Sequence, residues 1–305
     1  MTKTHISLVV PCFNGGAEAL ATVIAIGRLP RPADHTLEAV VVDDASTDGS
    51  TAHLARELPD WARLLRAPAN LGRAGAINLG VTEATGSLLL LLDCDCTPAH
   101  PDFLQAHLAC LAEGADASIG DIVGHAGGFW GRYQSAAGRR RAAAAHDGGM
   151  LHSMTTANIL LRAPLFRAVG GFDPRYRHYG FEDRDLLLRM QRTGARLAHN
   201  ANAPVDHAAN LDFPGISRKM QASGRYSAPL FRGDHPEAYR ALGYAAIDAT
   251  LHPWRAALLA PLARLAVARA DSIEAVLDQA WLPYPLRKGL ARAATALAYL
   301  HGTRQ

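Results

Sequence analysis

Leu88-Leu89-Leu90-Leu91-Leu92-Asp93-Cys94-Asp95 is the stretch on which the fold turns. Five leucines without polar alternation suit a strand covered on both faces, as in a parallel sheet flanked by helices. Side chains alternate along an extended segment, so Asp93 and Asp95 point one way and Cys94 the other. The end of a buried strand is where such sheets bind ligands. Two carboxylates there offer hard oxygen donors to a divalent cation holding a diphosphate. Ending the strand, or capping the next helix, is the plainer reading, and both stay open at this point.

Upstream, apolar runs expected as strands at Ile6–Val10, Leu37–Val42 and Ala62–Leu65 alternate with expected helices near Ala17–Arg28, Ser50–Leu58 and Arg73–Ala84. This β-α-β-α order predicts a mostly parallel, Rossmann-like α/β sheet with helices on both faces. The strands run into Pro11-Cys12-Phe13-Asn14 and Asp43-Asp44-Ala45-Ser46, the positions where a ligand would lie. Ser46, Thr47 and Asp48 read as caps of the next helix. The paired Asp43 and Asp44 are left for a base or ribose hydroxyls.

Downstream, residues Gly124 to Gly149 hold seven glycines, Trp130, Tyr133 and Arg139-Arg140-Arg141, and a loop or lid is expected. A helix is expected to open at Glu182-Asp183, with Asp183 on the buried stripe of Leu186, Leu187 and Met190 and Asp185 pairing with Arg189 on the solvated side. A core-facing carboxylate is costly without a partner or a task. The helix N-terminus favours its ionised form, which suits a base, while simple capping is the alternative. A short strand at Arg196–His199 precedes Val205-Asp206-His207, and His207, one of 14 histidines, gains ligand status only if a cation site exists elsewhere. Beyond about residue 215 the chain becomes helical and alanine-rich.

With 305 residues, 49% hydrophobic and 19% charged, the chain has ample material for a core. Only three of its 31 basic residues are lysines, which reads first as codon bias and disfavours a nucleic-acid partner. From Pro253 onward seven basic residues face three acidic ones, a net +4, so the rest of the chain is net −1 and the surplus positive charge belongs to the C-terminal helices. They are expected to pack on the rest, to pair two copies, or to touch a membrane. Four cysteines without a CxxC pair fit a reducing compartment. The run Ile6–Val10 is too short for the core of a secretory leader and no stretch is long enough to span a bilayer, so a cytoplasmic location is expected, with the inner membrane face as the variant. No G-x-G-x-x-G follows the first strand and no P-loop occurs, so phosphates would be neutralised by metal.

Taken in order, Ser7-Leu8-Val9-Val10-Pro11-Cys12-Phe13-Asn14, Val41-Val42-Asp43-Asp44-Ala45-Ser46-Thr47-Asp48-Gly49-Ser50, Asn70-Leu71-Gly72, Asp93-Cys94-Asp95, Gly170-Gly171-Phe172-Asp173, Gly180-Phe181-Glu182-Asp183 and His207 resemble a family 2 glycosyltransferase of the GT-A fold. The resemblance covers roughly Ile6 to His207. It implies a catalytic domain over 1–215 and a helical extension over 216–305. It also implies inverting transfer of a sugar from a nucleotide-diphosphate donor, UDP by family habit, to a hydroxyl of a glycan, lipid-linked or small-molecule acceptor.

Carried onto this chain, the resemblance places Pro11, Phe13, Asn14, Asp43, Asp44, Arg73 and Asp93 around the nucleotide. Asp95 and His207 would hold Mn²⁺ or Mg²⁺, Asp183 would be the base, and Glu182 would position a substrate. Trp130, Asn158, Tyr179 and Phe181 would line the acceptor side, Phe181 replacing a glycine found in many relatives. Two other readings stand beside this one: a sugar-1-phosphate nucleotidyltransferase, whose basic glycine-rich loop is missing, and a non-catalytic nucleotide-sugar-binding scaffold at a membrane surface.

Overall fold

A computed structural model describes residues 4–32, 34–124, 127–146, 154–208 and 211–305; the side chains of 141, 142 and 144–146 lie outside that description. The chain divides into two compact units. One comprises Met1–His125, Ser135–Arg177 and Asp183–Ala209, and the other Ala126–Gln134, His178–Glu182 and Asn210–Gln305.

The first unit runs β1 (Thr4–Cys12), α1 (Gly16–Gly27), β2 (His35–Asp43), α2 (Ser50–Glu57), β3 (Ala62–Arg66), α3 (Gly72–Glu83), β4 (Leu88–Leu92), β5 (Cys96–Pro98), α4 (Phe103–Ala112) and β6 (Ala117–Gly124). Then come α5 (Gly128–His146), which crosses the division, β7 (Asn158–Arg162), α6 (Ala163–Ala168), α7 (Glu182–Arg192) and β8 (Leu197–His207). The eight strands form one sheet in the order β3-β2-β1-β4-β7-β6-β8-β5. β3, β2, β1 and β4 are parallel, as is the β6–β8 pair, whereas β7 runs antiparallel to β4 and β6 and β5 antiparallel to β8.

The leucine run fills both sides of this sheet. Leu88, Leu90 and Leu92 join a core with Leu8, Val10, Val23, Ile26 and Phe103, while Leu89 and Leu91 join a second with Val9, Ile77, Phe166, Leu186 and Met190. Alternation thus sends one strand's side chains into two layers, each closed by helices. Close approach of α3 requires Gly80, where a Cβ would stand 2.6 Å from Val9 and 2.8 Å from Val42.

The expected loop after Gly124 is instead the helix α5. Only Gly131 and Gly138 fall inside the helix beyond its first residue, and the arginine and alanine run that follows Gly138 consists of good helix formers. Arg141's side chain lies outside the described residues. Asp185 does pair with Arg189, at 2.7 Å, but it is buried rather than solvated. The strand expected at Arg196–His199 extends to His207.

The second unit is helical: α8 (Phe213–Ala222), a π turn at Ser223–Ser227, α9 (Ala228–Asp234), α10 (Pro236–Ala241), α11 (Pro253–Ala268), α12 (Ala270–Leu277) and α13 (Tyr284–Thr303). Buried Asp248 accepts hydrogen bonds from Arg232 at 2.7 Å and Tyr239 at 2.8 Å, and the Tyr239 and Tyr299 hydroxyls meet at 2.7 Å. Among the described residues no helix is long and apolar enough to cross a membrane.

Asn158, expected on the acceptor side, is fully buried at the start of β7. Its Oδ1 lies 3.1 Å from His107 Nε2 and its amide donates to the Ala203 carbonyl at 2.8 Å, while His107 Nδ1 meets Ser118 Oγ at 2.8 Å. Burial, against the smaller opposing effect of these bonds, pushes the His107 pKa down to about 4 from 6.5. The folded chain therefore refuses a proton that the unfolded chain accepts between those values, and stability falls as pH drops through that window. Urea midpoints should report about 2 kcal/mol less stability at pH 5 than at pH 7, a difference that shrinks in His107→Gln; equal slopes in both proteins would refute the assignment.

Candidate active site

The ends of β1, β2 and β4 converge because these strands are parallel, and their polar termini are held by short local bonds. Asn14 adopts a left-handed conformation, φ 54°, accepting from Thr47 N at 2.8 Å while its own N–H donates to Ser46 Oγ at 2.9 Å. Pro11 is buried in register with Val42, and Phe13 is half exposed. Asp43 is fully buried, accepting from Ser46 N at 2.9 Å and from the Thr51 hydroxyl. Burial opposes its charge most strongly, yet these bonds prevail and its pKa lies below the usual range.

Asp44 accepts from Leu71 N at 2.6 Å and Gly72 N at 3.0 Å, and burial raises its pKa despite them. Both carboxylates, expected to face a nucleoside, also shape the β2–α2 and β3–α3 loops. Gly72 has φ 73°, and a Cβ on it would come within 2.5 Å of the Arg177 carbonyl, so the start of α3 is fixed tightly.

Arg73, in the first turn of α3, lies at the centre of the cluster. Its Nε donates to Asp93 Oδ1 at 2.7 Å and its Nη1 to Asp183 Oδ1 at 2.8 Å. Asp183 also accepts from the Thr156 hydroxyl and, at 2.8 Å, from Thr155 Oγ1. Burial is the largest influence on Asp183 and opposes ionisation, but Arg73, Thr156 and Thr155 outweigh it and its pKa falls below the usual value. Asp93 goes the other way: burial, with Asp95 and Asp183 close by, raises its pKa in spite of Arg73.

Asp95 and His207 come together through pairing of β5 with β8, which puts Cys96 opposite His207. His207 Nε2 stands 3.2 Å from Asp95 Oδ2. One ligand atom from each of Asp95, Cys96 and His207 lies within 4.8 Å of the others. The Thr22 hydroxyl, 2.7 Å from the Cys94 carbonyl and 3.0 Å from that of Cys96, fastens this loop to α1.

The remaining expected residues belong to the second unit. Glu182 is buried at the start of α7. Trp130 is buried too, with its indole N–H donating to Glu274 at 2.7 Å. Phe181, with φ 71°, stacks on Phe231 at 4.8 Å and meets Tyr244 edge-on. Both are residues expected on the acceptor side; Trp130 packs with Phe129 and Tyr133, and Phe181 is enclosed by Phe231, Tyr239 and Tyr244. Tyr179 keeps its ring half exposed beneath the Lys219 ammonium.

Thr155 and Thr156 are missing from the sequence expectations. β7 begins at Asn158 beside Leu92, so the residues before it lie at the end of β4, a placement that only the antiparallel direction of β7 creates.

The Asp95–His207 pair stands just past the carboxyl end of β4, the side on which α/β sheets of this kind bind ligands. Residues 7–170 match the model of glycosyl transferase family 2, and the chain belongs to that family. Residues 148–207 also match the N-terminal domain of galactosyltransferase. The succinoglycan biosynthesis protein ExoA of Rhizobium meliloti (strain 1021) is 28% identical over 212 residues, 65% of this chain and 61% of ExoA. The dolichyl-phosphate beta-glucosyltransferase ALG5A of Trichomonas vaginalis is 32% identical over a third of each chain. This chain thus spans about three fifths or less of these curated relatives. Mannosyltransferase PcManGT from Pyrobaculum calidifontis, solved with GDP-Man and Mn²⁺, superposes with a TM-score of 0.63 at 22% identity over 99% of this chain and 88% of its own. S. aureus TarS residues 1–349 with UDP gives 0.51 at 16% identity over 99% and 90%. The fold is GT-A.

Arg73→Met leaves two partly buried carboxylates facing each other. It should lower stability by about 3 kcal/mol in urea titrations, and adding Asp93→Asn and Asp183→Asn should recover part of that loss. No recovery would mean that the arginine serves packing rather than charge.

Proposed function

We propose that this chain transfers a sugar from a nucleotide-diphosphate donor to an acceptor hydroxyl with inversion, using Asp183 as base and a divalent cation held by Asp95 and His207. The observation carrying this reading is the single cluster of Asp93, Asp95, His207, Arg73 and Asp183 at one edge of the sheet. The donor set fits Mn²⁺ or Mg²⁺: a carboxylate oxygen beside an imidazole nitrogen, both part-exposed. When bound, the cation would offset negative charge gathering on the leaving diphosphate.

The chain's own groups account for the rest. Phe13 presents a ring face on which a base can stack. Asp183, kept ionised by Arg73, Thr155 and Thr156, takes the proton as the acceptor oxygen attacks the anomeric carbon and the bond to the diphosphate oxygen breaks. Asp93, joined to the same guanidinium, couples the end of β4 to the base. UDP and GDP sugars are the first donors to test, since related structures were solved with UDP and with GDP-Man.

Asp183→Asn should bind donor as the unsubstituted protein does and lose transfer by about 10²-fold or more. Full turnover would remove Asp183 as the base. In calorimetry, donor affinity should fall on chelation of Mn²⁺, and His207→Ala should abolish that difference. Equal affinity with metal and with chelator would overturn the cation site. Nucleotide-sugar formation from pyrophosphate chemistry would replace the transferase reading.

A further inference from the structure

Helix α11, Pro253–Ala268, is built inside out. Its small residues Ala256, Ala260 and Ala263 face inward, where Ala256 and Ala263 pack with Leu259 of the same helix and with Leu297 and Leu300 of α13. Four of its large apolar residues face solvent: Trp254 is 66% exposed, Leu258 72%, Leu262 53% and Leu265 54%. At about 100° per residue these four occupy roughly 80° of one face. A surface helix of a water-soluble domain shows the reverse arrangement.

Charge identifies what covers the stripe. Exposed Arg255 borders it on one side and exposed Arg264 on the other, with exposed Arg269 at its C-terminal end. The guanidinium of Arg255 lies 5.1 Å over the Trp254 ring. The helix contains no Asp or Glu. The acids nearest in sequence are Asp271 and Glu274 beyond its end and Asp248 before its start; Glu274 is occupied by Trp130 and the Phe213 amide, and Asp248 is buried against Arg232 and Tyr239. Two copies pairing stripe to stripe would set arginine against arginine with no carboxylate on the helix to match.

We propose that α11 docks this protein on an anionic lipid bilayer, lying in the plane of the interface. Trp254 and the three leucines enter the acyl boundary, and Arg255, Arg264 and Arg269 reach lipid phosphates along their aliphatic stems. Trp281 and Leu286, 77% and 63% exposed in the same unit, are further apolar contacts of the kind a bilayer takes up.

Co-sedimentation of the full chain with vesicles tests this without donor or acceptor, so its outcome is independent of the transferase reading. The chain should pellet with vesicles of equal parts phosphatidylcholine and phosphatidylglycerol, and about tenfold less with phosphatidylcholine alone or in high salt. Leu258→Glu with Leu262→Glu, at exposed positions where the thermal melt should stay unchanged, should reduce pelleting at least about tenfold, and Arg255→Glu with Arg264→Glu should erase the anionic preference. No pelleting, or equal pelleting of the leucine variant, overturns the proposal. A dimer in sedimentation velocity that the leucine variant splits, without vesicle binding, assigns the stripe to a second copy and overturns it equally.

Discussion

The contact of Arg73 with both Asp93 and Asp183 is the constraint around which the first unit is arranged. Asp93, Asp95 and Asp183 are brought close by the ends of β4 and α7, in a setting where unpaired charge is costly. One guanidinium on α3 reaches two of them because its fork presents donors in a fixed plane. Its position depends in turn on Asp44, which pins Leu71 and Gly72, and on Gly72 itself, where no side chain fits. A loop carboxylate at the end of a neighbouring strand thereby sets where the counter-charge stands.

The same arrangement separates the carboxylates by role. Asp183 is drawn toward the ionised form by three donors, whereas Asp93, with burial and two acidic neighbours against it, is drawn away. Groups of one type acquire different proton affinities from their surroundings alone. The β5–β8 pairing adds the imidazole, and Thr22 fixes the backbone between Asp93 and Cys96.

The second unit follows a different logic. Its aromatic residues Phe181, Phe231, Tyr239 and Tyr244 build a core on rings, with Asp248 accepting a hydrogen bond from the Tyr239 hydroxyl. Helix α11, by contrast, keeps its bulk outside. Composition located the surplus positive charge in this region, but charge counts carry no direction, and only the packing of Ala256, Ala260 and Ala263 inward shows that tryptophan and leucine share the outer face with arginine.

The parallel half of the sheet was legible in the leucine and valine runs, since residues buried on both sides need no polar alternation. Asp95, His207 and Asp183 were legible as candidates because each is a costly residue placed at the end of a strand or the start of a helix. The antiparallel direction of β7 was not, and with it went Thr155 and Thr156; strand direction is a property of pairing and leaves no local pattern. The same holds for Trp130, Asn158 and Phe181, whose chemistry suits a binding wall and a core equally well. Sequence by itself determined the four parallel strands β1 to β4, where the carboxylates stand along the chain and how the charge divides. Tertiary structure alone decided that Arg73 joins two of those carboxylates and that the aromatic candidates Trp130 and Phe181 face inward, because both depend on neighbours distant in the chain.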